Sequence, residues 1–168
     1  SITTFDADLK RGLEPRSASS LARLQVIREL SAAGVPVTVM AAPIMPAVND
    51  SELEMILERA AEAGATRAQY TLVRLPLEVK DLFREWLAQH LPDRAAHVMS
   101  LIRDVRGGQD NDSRFGARMK GQGAWAQLLS DRFRLAARRL GLDASRDSGL
   151  DGSQFRPPRT TPQLDLGL

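Results

Sequence analysis

The chain has 168 residues, 43% hydrophobic and 26% charged, with a formal net charge of +2; that is enough to bury one ordinary core in a globular, water-compatible chain. It contains no cysteine, which excludes disulfides, thiolate metal sites and a cysteine nucleophile within it. No apolar run approaches the roughly 18 residues of a membrane span, and the first residues lack the basic-then-apolar pattern of a secretory signal, so a cytoplasmic location is expected.

In chain order, Ser1-Ile2-Thr3-Thr4 reads as the end of a β-strand, followed by a loop. A helix follows, capped by Ser19 or Ser20, with Leu21, Leu24, Ile27 and Leu30 at helical spacing and Gly34 as its stop. "VPVTVMAAPIMP" is β-branched and apolar on both faces, as in a buried parallel strand, and Pro43 and Pro46 end it. The helix grammar then repeats, with Asn49 or Asp50 as cap, an inner stripe of Leu53, Ile56, Leu57 and Ala60, and Gly64 as stop. A strand over about 68–73 follows. The next helix carries Val79, Leu82, Phe83, Trp86 and Leu87 on one face. Residues 1–91 thus read β-α-β-α-β-α, three parallel strands with helices between them. A binding site on such a sheet falls at the carboxyl edge, where Ser1, Thr3, Pro43, Met45, Arg74 and Leu75 lie.

Residues 92–142 read as a helical extension, with helices over about 93–106 and 124–140 joined by the polar "GGQDNDSRFGARMKGQG". Residues 143–168 are rich in Ser, Asp, Gly and Pro and are expected to be a disordered tail. Charge is uneven: residues 1–104 carry 12 basic and 14 acidic side chains, and residues 105–168 carry 11 and 7. Arg106, Arg114, Arg118, Lys120, Arg132, Arg134, Arg138 and Arg139 therefore form either a phosphate-attracting patch or a solvated helix face.

Residues with catalytic chemistry are sparse. His90 and His97, with Asp93 between them, are separated by Pro92 and have no further ligand nearby, so a metal site is not expected. Both histidines lie past the last strand and there is no GxSxG elbow, which argues against a serine triad. "GQG" at 121–123 precedes a helix, where backbone N–H groups can cradle a phosphate or simply form a flexible entry.

Three stretches together carry a resemblance: "SITT"; "LEPR" with "ARLQVIRELSAAGVPVTVMAAPIMPAVND"; and "YTLVRLP" followed by "VKDLFREWL". They resemble the second half of radical S-adenosylmethionine (radical SAM) proteins, in particular the bacterial branch related to spore photoproduct lyase. "MSLIRDVRGGQDNDSRF" and "RFRLAARRLGL" extend the likeness through about residue 142.

The resemblance implies an α/β fold, one half of a partial (β/α)6 barrel supplying strands four to six, with C-terminal helices added. In that family a CxxxCxxC loop binds a 4Fe-4S cluster, which reduces S-adenosylmethionine to give a hydrogen-abstracting radical. This chain lacks the cysteines, so the family's chemistry, lyase-like by analogy, requires an N-terminal cluster-bearing half in the same polypeptide or a separate chain. By the same resemblance Ser1 and Thr3 face the cofactor ribose, Arg23 pairs with the methionyl carboxylate, and Ala42, Pro43 and Ile44 meet the adenine. Arg74 and Arg16 fall on the substrate side. The plainer reading makes Arg23 a helix-face charge paired with Glu14 or Asp8, Ala42 to Ile44 strand-end packing, and Glu14-Pro15-Arg16 a lock between strand and helix. Kinship does not carry a substrate over. The competing class is a non-catalytic α/β binding module or split remnant, contacting nucleic acid through the basic residues of its last helix.

Overall fold

The computed structural model describes residues 1–115, 117–143, 153 and 155–157; most of the expected tail lies outside them. Strands β1 (Thr38–Ile44) and β2 (Arg67–Leu72) run parallel, with Thr38 opposite Arg67 and Ala41 opposite Tyr70. The register shifts between Ala41 and Ile44, where Pro43 has no N–H for the ladder. On the other edge of β1, the Ile2 N–H donates to Met40 O (2.9 Å) and the Ala42 N–H to Ile2 O (3.2 Å), forming a parallel bridge between Ile2 and Ala41. The spatial order is therefore opening segment, β1, β2. The expected third strand is a single bridge, because only Ile2 is in reach before the chain turns away at Thr4.

That turn leads into a helix which the sequence reading took for a loop, α1 (Ala7–Leu13). It buries no residue, so it offers no apolar stripe to read, and its signal is the cap: Asp6 Oδ1 accepts from the N–H groups of Asp8 (2.8 Å) and Leu9 (2.9 Å). Helix α2 (Ser20–Ala32) is capped by Ser19, whose Oγ accepts from the Ala22 N–H (3.1 Å), while the Ser20 hydroxyl turns inward and donates to Thr4 O. Only Leu24 and Ile27 of its expected stripe reach the core; Leu21 and Leu30 are exposed. After a 3-10 turn (Asp50–Glu52), α3 (Leu53–Glu62) buries Leu53, Ile56, Leu57 and Ala60 as its periodicity predicts. Gly64 ends it at φ 99°, where a Cβ would stand 2.4 Å from Ser31 Oγ.

Beyond β2 come α4 (Val79–His90), α5 (Ala95–Val105), the short α6 (Ala117–Lys120) and α7 (Gly123–Arg139). On α4 only Phe83 and Leu87 are buried, with Trp86 packed against them, whereas Val79 and Leu82 face solvent. Two cores result. The larger joins Val39, Ala41, Tyr70 and Leu72 of the strands to α3 and to Val105, Leu129, Ala136, Ala137 and Leu142. The smaller, beyond the carboxyl ends of the strands, joins Met45, Val73 and Leu75 to α4 and α5. Within residues 92–142, Val105, Leu129, Ala136, Ala137 and Leu142 share the core that the strands begin. Leu142 and Asp143 belong to the fold too: Leu142 O accepts from the Ala68 N–H (3.1 Å), and Asp143 bridges Arg67 in antiparallel sense.

Burial alternates along β1, with Val39 and Ala41 buried and Met40 and Ala42 half-buried. The helices pack on the face of Val39, Ala41, Tyr70 and Leu72. Met40, Ala42, Gln69 and Thr71 belong to the opposite face, and there Gln69 is exposed and the other three half-buried. Parallel sheets normally have both faces covered; none of these four residues belongs to either core cluster of the described residues. No helix among the described residues is long and apolar enough to cross a membrane.

Candidate functional site at the carboxyl edge of the sheet

Asn49 organises the edge. Its position before the 3-10 turn suggests a cap, yet its side chain makes no cap bond. Nδ2 donates to Thr3 O (2.8 Å) and Pro43 O (2.9 Å), and Oδ1 accepts from the Met45 N–H (2.7 Å). One fully buried amide thereby ties the opening segment to the end of β1. Glu52 adds a second tie: its carboxylate accepts from the Phe5 N–H (2.6 Å) and from the Thr4 hydroxyl.

Above Asn49 lies a charged network centred on Glu14. The Thr3 hydroxyl donates to Glu14 Oε1 (2.7 Å) and lies 3.0 Å from Ala42 O. Glu14 Oε2 takes Arg23 Nη2 (3.0 Å), the Ser17 hydroxyl (3.0 Å) and Lys10 Nζ (3.2 Å). Arg23 Nη1 also donates to Ser1 O (2.7 Å). Burial alone would raise the Glu14 carboxyl, but bonds from Thr3, Lys10 and Ser17 and the Arg23 charge outweigh it and hold the group at about 2. A carboxyl depressed on folding stabilises fully above its unfolded value of about 4.5 and loses that contribution as pH falls toward 2. Glu14→Gln should therefore cost on the order of 1–2 kcal/mol at pH 7, allowing for solvent screening. Denaturant titrations of the two proteins should converge as pH falls to about 2; a difference independent of pH would show that the charge is not the cause.

The sequence-predicted residues divide. Ser1, Thr3, Arg23 and Ala42 come together through these bonds, and Pro43 joins them through Asn49. Arg23 is engaged by Glu14 and Ser1 O, the plainer of its two readings. Ile44 is 0% exposed and packs in the large core beneath β1. Arg74 is exposed between buried Val73 and Leu75, and Arg16 is exposed on the α1–α2 connection; neither has a hydrogen bond or ion pair among the described residues, and neither is joined to the network. Sequence reasoning names Glu14 only as a partner of Arg23 and as part of the Glu14-Pro15-Arg16 lock, not as the centre of a network, and it reads Asn49 only as a cap.

Of the eight basic residues of the C-terminal third, Arg106, Arg114, Arg132, Arg134 and Arg139 bond within the molecule. Arg106 is 2% exposed; its Nη2 donates to Val73 O (2.7 Å) and Nη1 to Arg118 O (2.9 Å). Burial lowers its pKa, partly offset by Asp112. Arg114 pairs with Asp112 (2.7 Å), Arg132 forks onto Glu54 (2.7 and 2.8 Å), Arg134 meets Asp131 and Arg139 meets Glu58. Side chains that carry internal carboxylates leave little net field for a polyanion, which weighs against a nucleic-acid face on α7. His90 ends α4 stacked on Trp86 (5.0 Å between centroids), and no group of three or more His, Cys, Asp or Glu among the described residues is placed to hold a metal ion.

No family model and no solved structure matches the chain. It is similar to uncharacterized proteins of Mycobacterium bovis and of two strains of Mycobacterium tuberculosis, each 32% identical over 105 residues. The match covers 61% of this chain and 31% of each relative, so the chain spans about a third of the length of the curated relatives it matches.

Proposed function

We propose that the chain is the C-terminal portion of a radical SAM iron–sulfur enzyme, of the branch related to spore photoproduct lyase, in which it forms half of a partial barrel. It supplies the rim of the S-adenosylmethionine pocket and part of the substrate side, and an N-terminal cluster-bearing half supplies the cluster. The observation that carries this reading is the sheet: three parallel segments in chain order, helices packed, among the described residues, on the face of Val39, Ala41, Tyr70 and Leu72, and a polar network at the carboxyl edge. In a barrel the open face of Met40, Ala42, Gln69 and Thr71 is the interior, and another half covers it. Relatives about three times as long as the matched segment have room for that half.

The chain's own residues do not fit the cluster, since it has no cysteine and no metal-holding group among its described residues. They fit the other cofactor in part. Glu14, kept ionised, is the kind of acceptor that ribose hydroxyls require, Thr3 and Arg23 fix its orientation, and Ala42 and Pro43 give a half-buried apolar margin. Bound S-adenosylmethionine would supply the hydrogen-abstracting chemistry; these residues would orient it and keep water from its ribose.

The test is the native protein itself. Its size in source cells should exceed the 18.4 kDa of this segment by about the mass of a second barrel half, or a cysteine-bearing partner should copurify. Reconstituted without oxygen and reduced, the native species should form 5′-deoxyadenosine from S-adenosylmethionine. An 18.4 kDa species with no such partner and no product would sink the proposal.

A further inference from the structure

Helix α1 and the connection after it leave the body of the molecule and return to the same place. Before α1, the Phe5 N–H is held by Glu52 (2.6 Å), and the Arg59 guanidinium stands 4.4 Å from the centre of the Phe5 ring. After it, buried Ser20 donates its hydroxyl to Thr4 O. Residues 6–19 therefore form a loop whose two ends are joined by a hydrogen bond, the geometry of compact surface loops that carry their own internal packing. Such a loop can lift without disturbing the elements on either side of it.

Much of what shapes the loop is internal to it. Asp6 caps α1, Lys10 Nζ donates to Glu14 O (3.0 Å) and to the Ser17 hydroxyl, and Ser17 Oγ donates to Glu14 Oε2 (3.0 Å). A helix this short does not persist on propensity alone, and these bonds travel with it. The ties to the body are of another kind. Trp86 Nε1 donates to Gly12 O (3.0 Å), Thr3 and Arg23 donate to Glu14 (2.7 and 3.0 Å), and Leu13 sits half-buried against the smaller core. No residue of α1 is fully buried. A Cβ at Gly12 would stand 3.4 Å from Trp86 Nε1, so glycine lets the helix lie close on the indole. The packing is incomplete on both flanks. A cavity of about 220 Å³ lies between α1 and α4, bounded by Asp6, Leu9, Val48, Trp86 and Leu91. Another of about 310 Å³ lies between α1 and the start of α2, bounded by Phe5, Lys10, Glu14, Ser20 and Leu21. An element with few buried contacts and voids on either side belongs to the low-stability end of a structure.

We propose that residues 6–19 are a lid on the carboxyl edge, latched by Glu14 and by the Trp86–Gly12 bond, which opens as one body while the strands and α3 stay folded. Opening withdraws the Glu14 carboxylate from Thr3, which is 2% exposed in the closed form, and from Arg23. A hydroxyl and a guanidinium are released together, the Trp86 indole is uncovered, and the two cavities become continuous. The lid rests on the chain's own contacts and holds whether or not this edge binds S-adenosylmethionine.

The test is native-state hydrogen exchange on the ¹⁵N-labelled 168-residue chain, read at the α1 amides of residues 10–14, the α3 amides of residues 57–60 and the Trp86 indole N–H. The α1 amides and the indole proton should share one opening constant, larger than that of the α3 amides by roughly a hundredfold or more. Glu14→Gln should raise the shared constant roughly tenfold. Trp86→Phe, which keeps an aromatic ring and removes the donor, should raise that of the α1 amides roughly fivefold. Three results overturn the proposal. The indole proton exchanges only as slowly as α3 while the α1 amides exchange freely, which is fraying. The α1 amides are as slow as those of α3, which leaves no separate opening. Or the α1 constants are unchanged in both variants, which removes the latch.

Discussion

Arg106→Met is expected to destabilise the chain by about 3 kcal/mol, the largest effect of any single exchange outside the apolar core. The substitution keeps much of the side-chain volume, so little of the loss comes from a cavity. What changes is that Val73 O and Arg118 O lose the donors now at 2.7 and 2.9 Å, and Val73 O is among buried atoms that water cannot reach at low cost. Arg106→Lys should recover only part of the loss, since one ammonium cannot span both carbonyls as the planar fork does. Urea denaturation of the three proteins measures this. A methionine variant within about 1 kcal/mol of the parent would mean that the two carbonyls find other donors.

Asn49 should be nearly as sensitive, and with a diagnostic signature. Asn49→Ala removes two donors and one acceptor from a fully buried position, with an expected cost of about 3 kcal/mol. Asn49→Asp keeps the acceptor for the Met45 N–H but sets a carboxylate oxygen against Thr3 O and Pro43 O. That carboxyl should be driven upward by burial and by the facing carbonyls. A group whose pKa is raised on folding stabilises below its unfolded value and loses that contribution as pH rises through the folded one. The aspartate variant should therefore approach the parent near pH 4 and fall away toward pH 8. A flat profile would place the side chain in water, contrary to its burial.

These two residues also mark how far the sequence is legible. Apolar periodicity located α3 to within a few residues, because its whole inner stripe is buried, and it placed β1 and β2 because parallel strands carry continuous apolar runs. It fails at α1, which has no buried face, and at the ends of α2 and α4, where Leu21, Leu30, Val79 and Leu82 fit a stripe that no described residue covers. Polar residues are harder, since their role depends on what the fold brings opposite them. Asn49 reads as a cap and Arg106 as a surface charge, yet each is buried and multiply bonded, and no local pattern distinguishes those states. Thr3 and Arg23 were identifiable as a pair of interest only through resemblance. Their common partner Glu14 shows that their mutual fit is an ion-pair network, whatever else binds there.

The joining of α3 to α7 has a consequence for the order in which the chain acquires its structure. Arg132 and Glu54 are 78 residues apart, and Leu129, Ala136 and Ala137 pack with Val39, Ile56 and Leu57. Contacts of that span close late, because the loop between them must be ordered first. As the chain leaves the ribosome, β1, α3 and β2 are complete long before their cover exists, and their apolar surface stays exposed meanwhile. A truncation before residue 123 would make that interval permanent and should yield an aggregating species, whereas one after residue 143 should fold.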